Sequence, residues 1–140
     1  MNYLLDTNVI SELIKPQAEP SVLRFIARRD ATFYLSVITL AELRLGVALL
    51  PEGRRRSAFD QWLSVDLLNQ FAGRILIVDQ IVARAWGDIT ALSERRGTNI
   101  KAMDAMLAAT SAAHNLTFAT RNVRDFAKLD IALFNPWDEP

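Results

Sequence analysis

The stretch Tyr3-Leu4-Leu5-Asp6-Thr7-Asn8-Val9-Ile10-Ser11-Glu12-Leu13-Ile14-Lys15-Pro16 decides the fold class. Tyr3-Leu4-Leu5 reads as a brief buried strand, and Val9, Ile10, Leu13 and Ile14 then recur at helical spacing until Pro16 stops them. The same alternation continues outward along the chain. Pro20 and Ser21 open a second helix with Val22, Phe25 and Ile26 on one face, and Phe33 to Val37 is rich in strand formers. Thr39 to Leu50 is helical and ends at Pro51, and a longer helix over Gly53 to Phe71 carries Phe59, Trp62, Leu63 and Leu67 in register. Ile75 to Val78 is the clearest strand, and Asp79 caps a helix that runs to Gly97. A helix over Met103 to His114, a strand over Leu116 to Ala119, a short helix near Val123 and a strand over Ile131 to Phe134 complete the pattern. Strands separated by helices predict an α/β domain with a mainly parallel sheet. No repeat, low-complexity tract or Pro/Gly linker divides it, so residues 1–140 read as one domain.

Composition narrows the chemistry. The chain has no Cys and one His, which removes thiol catalysis, Cys-ligated zinc, iron–sulfur clusters, disulfides and any His-rich metal site. With 51% hydrophobic and 23% charged residues, it needs no staple to fold. The first residues lack the basic and long apolar segments of a secretory signal, and no apolar run approaches a membrane span, so a soluble cytoplasmic protein is expected. The 16 cations balance 16 acids, which argues against a generic DNA-coating protein. Only Lys15, Lys101 and Lys128 are lysines, leaving 13 arginines, whose planar forks suit phosphates and carboxylates.

The acids are placed informatively. Asp6 follows the first strand, Glu42 lies in the first turn of the helix after the second, Asp104 opens the helix before the fourth, and Asp125 lies just beyond that strand. In an open parallel sheet the ligand crevice forms beyond the carboxyl ends of the strands. Carboxylates gathered there, without His or Cys, form a hard oxygen-only site that selects Mg²⁺, with Mn²⁺ as the alternative. Each acid also has a plain structural reading. Asp6 is a natural helix cap, Thr39-Leu40-Ala41-Glu42 fits a capping box, Asp104 suits the positive end of its helix, and Asp125 taken alone is a surface acid. Only their conjunction favours function.

Read with their neighbours, these acids give the chain a resemblance to the PIN-domain ribonucleases, and within them to VapC/FitB-like toxins of type II toxin–antitoxin modules. The matching segments are Leu5 to Leu13, Leu35 to Gly46, Asp104 to Thr110, Thr120 to Phe126 and Asn135-Pro136-Trp137. They occur in order from end to end. The resemblance implies a sheet of order 3-2-1-4-5 flanked by helices, which leaves Asp79 on an edge strand as a cap only. It also carries the family's catalytic and metal-binding acids onto Asp6, Glu42, Asp104 and Asp125.

The activity implied by the resemblance is that of a Mg²⁺-dependent endoribonuclease, with Asp6 and Asp104 as the main metal ligands and Glu42 and Asp125 completing the set. Thr7, Asn8, Thr120 and Asn122 are candidates to orient those carboxylates, or else are helix caps. Arg121 would meet a phosphate or pair with an acid, and Lys101 would touch substrate or stay solvated. Arg54-Arg55-Arg56 and Arg95-Arg96 are candidate rim cations, and also ordinary solvated helix faces. The resemblance further implies an RNA substrate, a VapB/FitA-like antitoxin, a homodimer within a toxin–antitoxin hetero-oligomer, contact with operator DNA only through the antitoxin, and no membrane. Helical stretches Val22 to Ile26 and Leu43 to Leu50 are candidate partner surfaces, while Trp62 and Trp86 are expected in the core. The alternative from another class is a silent module that only binds its antitoxin. A haloacid-dehalogenase-like phosphatase would need a second Asp where Asn8 stands, and a receiver domain would need an acidic pair and a late lysine that have no counterpart here.

Overall fold

A computed structural model describes residues 1–139. Along the chain lie β1 (Asn2–Leu5), α1 (Thr7–Leu13), α2 (Pro20–Ile26), β2 (Thr32–Ser36), α3 (Val37–Leu49) and α4 (Arg54–Gln61). A π-helical turn (Trp62–Asp66) joins α4 to α5 (Leu67–Gln70). Then come β3 (Ile75–Leu76), α6 (Gln80–Arg95), α7 (Ala102–Ala113), β4 (Thr117–Ala119), α8 (Val123–Phe126), β5 (Leu133–Phe134) and a 3₁₀ turn (Pro136–Asp138).

The five strands form one sheet in the order β3-β2-β1-β4-β5, and all four pairings are parallel. Leu4 pairs with Tyr34 on one side and Phe118 on the other, so β1 is the central strand. Alternation along β1 builds two core layers. Tyr3 and Leu5 face the layer of α1, α2 and α5, with Val9, Ile10, Val22, Phe25, Phe33, Leu63 and Leu67. Leu4 faces the layer of α6 and α7, with Val82, Ile89, Leu107, Phe118 and Phe126. Tyr3, Phe25, Phe33 and Phe134 interlock with ring centroids 4.9 to 5.8 Å apart. On α7 the fully buried Ala105, Ala108 and Ala109 let the helix lie close to the sheet.

Several boundaries differ from expectation. The strands are shorter than their apolar runs: Ile77 and Val78 lie beyond the paired part of β3, and Ile131 lies before β5. The helix expected over Gly53 to Phe71 is interrupted where the Leu67 N–H reaches the Trp62 carbonyl, one residue beyond α-helical spacing. α3 starts at Val37, two residues before Thr39, because the Ser36 hydroxyl accepts from the Ile38 N–H at 3.0 Å and caps it. No Thr39/Glu42 capping box forms, and Glu42 lies in the second turn instead of the first. Asp79 caps α6 as expected, accepting from the Val82 N–H at 3.0 Å. Trp62 and Trp86 are half-buried, each packed against one of the core layers. In the stretch Val22 to Ile26, Val22 and Phe25 are core residues, which leaves Leu23 and Arg24 outward.

Candidate active site

Strand order reverses at β1, where the chain has moved outward to β2 and β3 and then returns to the other side for β4 and β5. The residues just past β1 and β4 therefore meet at the carboxyl edge of the sheet, where the Asp6 N–H bonds the Ala119 carbonyl at 2.9 Å. Asp6 is the N-cap of α1 and is only 6% exposed. Its Oδ1 accepts from the Thr7 N–H at 2.7 Å, and its Oδ2 accepts from the Thr120 hydroxyl at 2.7 Å and from Asn8 Nδ2 at 3.3 Å. Thr120, fully buried, also accepts from the Asn122 N–H at 3.0 Å. The capping and orienting readings of these residues are thus one arrangement: the bonds that start α1 also aim the Asp6 carboxylate.

Glu42 reaches the same place from α3. Its Oε1 accepts from the Thr7 hydroxyl at 2.7 Å, and that hydroxyl lies 3.0 Å from the buried hydroxyl of Thr39. Thr39, which reads from sequence only as a cap, is a member of this network; its place one turn before Glu42 is the available signal. Asp104 stands half-buried in the first turn of α7, and Asp125 stands exposed on α8. Neither carboxylate accepts a hydrogen bond among the described residues.

Electrostatics ties the acids together. Burial pushes the Asp6 carboxyl up to about 6, against the lowering effect of the Thr120 and Thr7 hydrogen bonds, and the charges of Asp104 and Glu42 add to the rise. Asp104 is also raised, first by burial and then by Glu42, with Asp125 adding and Lys101 opposing. None of the four acids has an ion-pair partner among the described residues. Nor do any three Asp, Glu or His side chains among them already stand as a closed ligand set around one cation position. The donor set nevertheless suits a hard divalent ion: its ligands are all oxygens, its like charges oppose one another with no ion-paired cation, and Asp104 and Asp125 have carboxylates without hydrogen bonds.

Two openings flank the acids. Asp104 and Asp125 line a recess of about 430 Å³ together with Lys101, Asn122 and Arg124. Thr7 and Glu42 edge an apolar groove of about 270 Å³ lined by Leu43, Gly46, Val47, Leu50, Phe59 and Trp62. Arg55 lies on that groove with its guanidinium over the Phe59 ring, 5.7 Å from the centroid. Arg121 stands over the Trp137 ring at 5.1 Å, so an aromatic face holds it and not an acid of the cluster. Arg96 is bound to both oxygens of Asp130 at 2.9 Å and to the Lys128 carbonyl, which removes it from the candidate rim cations. Arg124 gives no signal in the sequence, where it reads as one more surface charge beside Asp125.

Comparison with known proteins agrees with this geometry. Residues 3–132 match the PIN domain family. The chain is 44% identical over 140 residues to Toxin FitB of Neisseria gonorrhoeae, covering 97% of this chain and 99% of FitB. It is 41% identical over 136 residues to VapC ribonuclease Y4jK of Sinorhizobium fredii, covering 96% and 97%. The solved structure of FitAB bound to an IR36 DNA fragment superposes with a TM-score of 0.88 at 42% identity, over 96% of this chain and 95% of that one. The chain belongs to the PIN domain family, in its branch of FitB- and VapC-like toxins.

Proposed function

We propose that this chain is a Mg²⁺-dependent endoribonuclease, the toxin of a type II toxin–antitoxin pair, acting in the cytoplasm. The observation that carries the reading is the group of mutually interacting carboxylates on four different elements, none ion-paired to a protein cation among the described residues. Asp6 and Asp104 would be the main holders of the ion, with Glu42 and Asp125 completing the shell directly or through water. Bound there, Mg²⁺ (or Mn²⁺) supplies Lewis-acid polarisation of an RNA phosphodiester and a more acidic water. The protein's part is positional. Thr7 and Thr120 fix Glu42 and Asp6 before any ligand arrives, and the fixed hydrogen bonds cost no reorganisation during reaction. The Asp104 and Asp125 carboxylates, free of hydrogen bonds, would be the ones left to hold the ion.

The apolar groove beside Glu42 suits a partner. Leu45 and Leu49 on the same helix are 60% and 75% exposed, and a Cβ at Gly46 would meet nothing within 4 Å. An antitoxin of the FitA/VapB kind laying an apolar segment there would cover α3 and close the route to the acids, within an assembly of paired toxins that meets operator DNA only through the antitoxin. No helix among the described residues is long and apolar enough to cross a membrane.

Purified protein incubated with RNA tests the enzyme. Cleavage is expected in Mg²⁺ and absent in EDTA. Replacing even an outer partner of a metal ligand costs about 10–100-fold, so Asp104→Asn should reduce the rate by about 100-fold or more. Equal cleavage by wild type and Asp104→Asn would contradict the enzyme reading of these acids.

A further inference from the structure

The recess beside Asp104 and Asp125 carries two cations that the metal site does not use. Many arginines are engaged: Arg28 with Asp30, Arg44 with Asp60, Arg96 with Asp130, Arg74 with the Phe33 and Gln70 carbonyls, and Arg121 with Trp137. Arg29, Arg54, Arg84 and Arg95 have no such partner among the described residues, but none of them lines the recess. Lys101 and Arg124 do line it, both are exposed, and neither side chain has a hydrogen bond, ion pair or ring contact among the described residues. Lys101 opposes the rise of the Asp104 carboxyl through space without bonding to it. Lys101 is also the N-cap of the 12-residue α7 and offers its first turn no side-chain acceptor, so amide donors at that helix end stay open.

Two cations without hydrogen-bonded partners and an uncapped helix start make the recess receptive to an anion. The two carboxylates that share its lining repel a dianion more than a monoanion, which favours a diester over free phosphate. We propose that this recess is a phosphodiester subsite for single-stranded RNA, in which Arg124 and Lys101 hold the phosphate next to the one that is cut. The proposal rests on the ribonuclease reading of the acids and says which part of the substrate the flanking cations take. Arg124 presents a planar fork that matches two phosphate oxygens, whereas Lys101 supplies a mobile point charge near the amides of α7. Such contacts bind ground state and transition state alike, so they act on KM and not on kcat.

The test measures a fluorescent single-stranded RNA twice: its affinity in Ca²⁺ across a salt series, and its cleavage in Mg²⁺. Arg124→Ala and Lys101→Ala should each flatten the slope of log affinity against log salt by about 0.7. Each should raise KM roughly 5–10-fold with kcat within about twofold. Arg124→Lys should recover most of the slope, and Arg29→Ala, at the opposite edge of the sheet, should leave it unchanged. Unaltered melting temperatures would show that the exposed substitutions leave the fold intact. Alanine variants with wild-type slopes and KM would overturn the subsite, as would an equal loss in Arg29→Ala or a wild type that binds no RNA. A wild type that cleaves nothing, yet loses the slope with Arg124→Ala, would keep the subsite and defeat the ribonuclease reading.

Discussion

Asp6 shows how one residue meets two demands. It caps α1, which any polar side chain there would do, and it keeps a charge where burial and two neighbouring acids oppose one. With the folded-state carboxyl near 6 and the ordinary value 3.8, ionisation in the folded protein costs up to about 3 kcal/mol at pH 7. As pH falls through 6 the folded form takes up the proton first and is relieved of that cost. Below about 3.8 both forms are protonated and nothing further is gained. In protein free of divalent ions, Asp6→Asn should therefore be more stable than wild type at pH 7, with the gap closing towards pH 4. Denaturant titrations at several pH values measure it, and a variant no more stable at pH 7 would contradict the buried-charge account. That all four acids follow strand ends or open helices was legible in the sequence, because strand ends and carboxylates are both visible there, although Glu42 lies one turn further into α3 than its sequence suggests. The bonding of Glu42 was not. A Thr and a Glu three residues apart encode a capping box equally well, and only the choice of Ser36 as cap frees Thr39 and Glu42 to face Thr7.

At the scale of elements, two N-caps separate stability from function. Ser36→Ala removes the cap of α3, the helix that carries Glu42, and Asp79→Ala removes that of α6, on the far edge of the sheet. Each should cost about 1 kcal/mol of stability. Only Ser36→Ala should also slow RNA cleavage, since fraying α3 loosens Glu42 from Thr7. Thermal melts read beside cleavage rates check this, and equal activity in both variants would show that the start of α3 does not position Glu42. Helices were legible because caps, Pro16 and Pro51, and apolar stripes mark them. Strand lengths were not, since Ile77 and Val78 are as apolar as the paired Ile75 and Leu76. The π-helical turn at Trp62–Asp66 was not either, because a one-residue shift in bonding changes no residue type.

On the scale of the whole molecule, the parallel sheet is what brings scattered acids to one edge. Residues 6, 42, 104 and 125 are far apart in sequence, yet each lies on an element that starts at the carboxyl edge of the sheet. The central claim is that these four carboxylates form a binding site for one hard divalent cation environment. Calorimetric titration of Mn²⁺ into purified protein at pH 6 tests it most directly. The account predicts saturable binding, proton release as Asp6 ionises, and at least about tenfold weaker binding in Asp104→Asn. No saturable uptake by wild type, or equal affinity in Asp104→Asn, would contradict it.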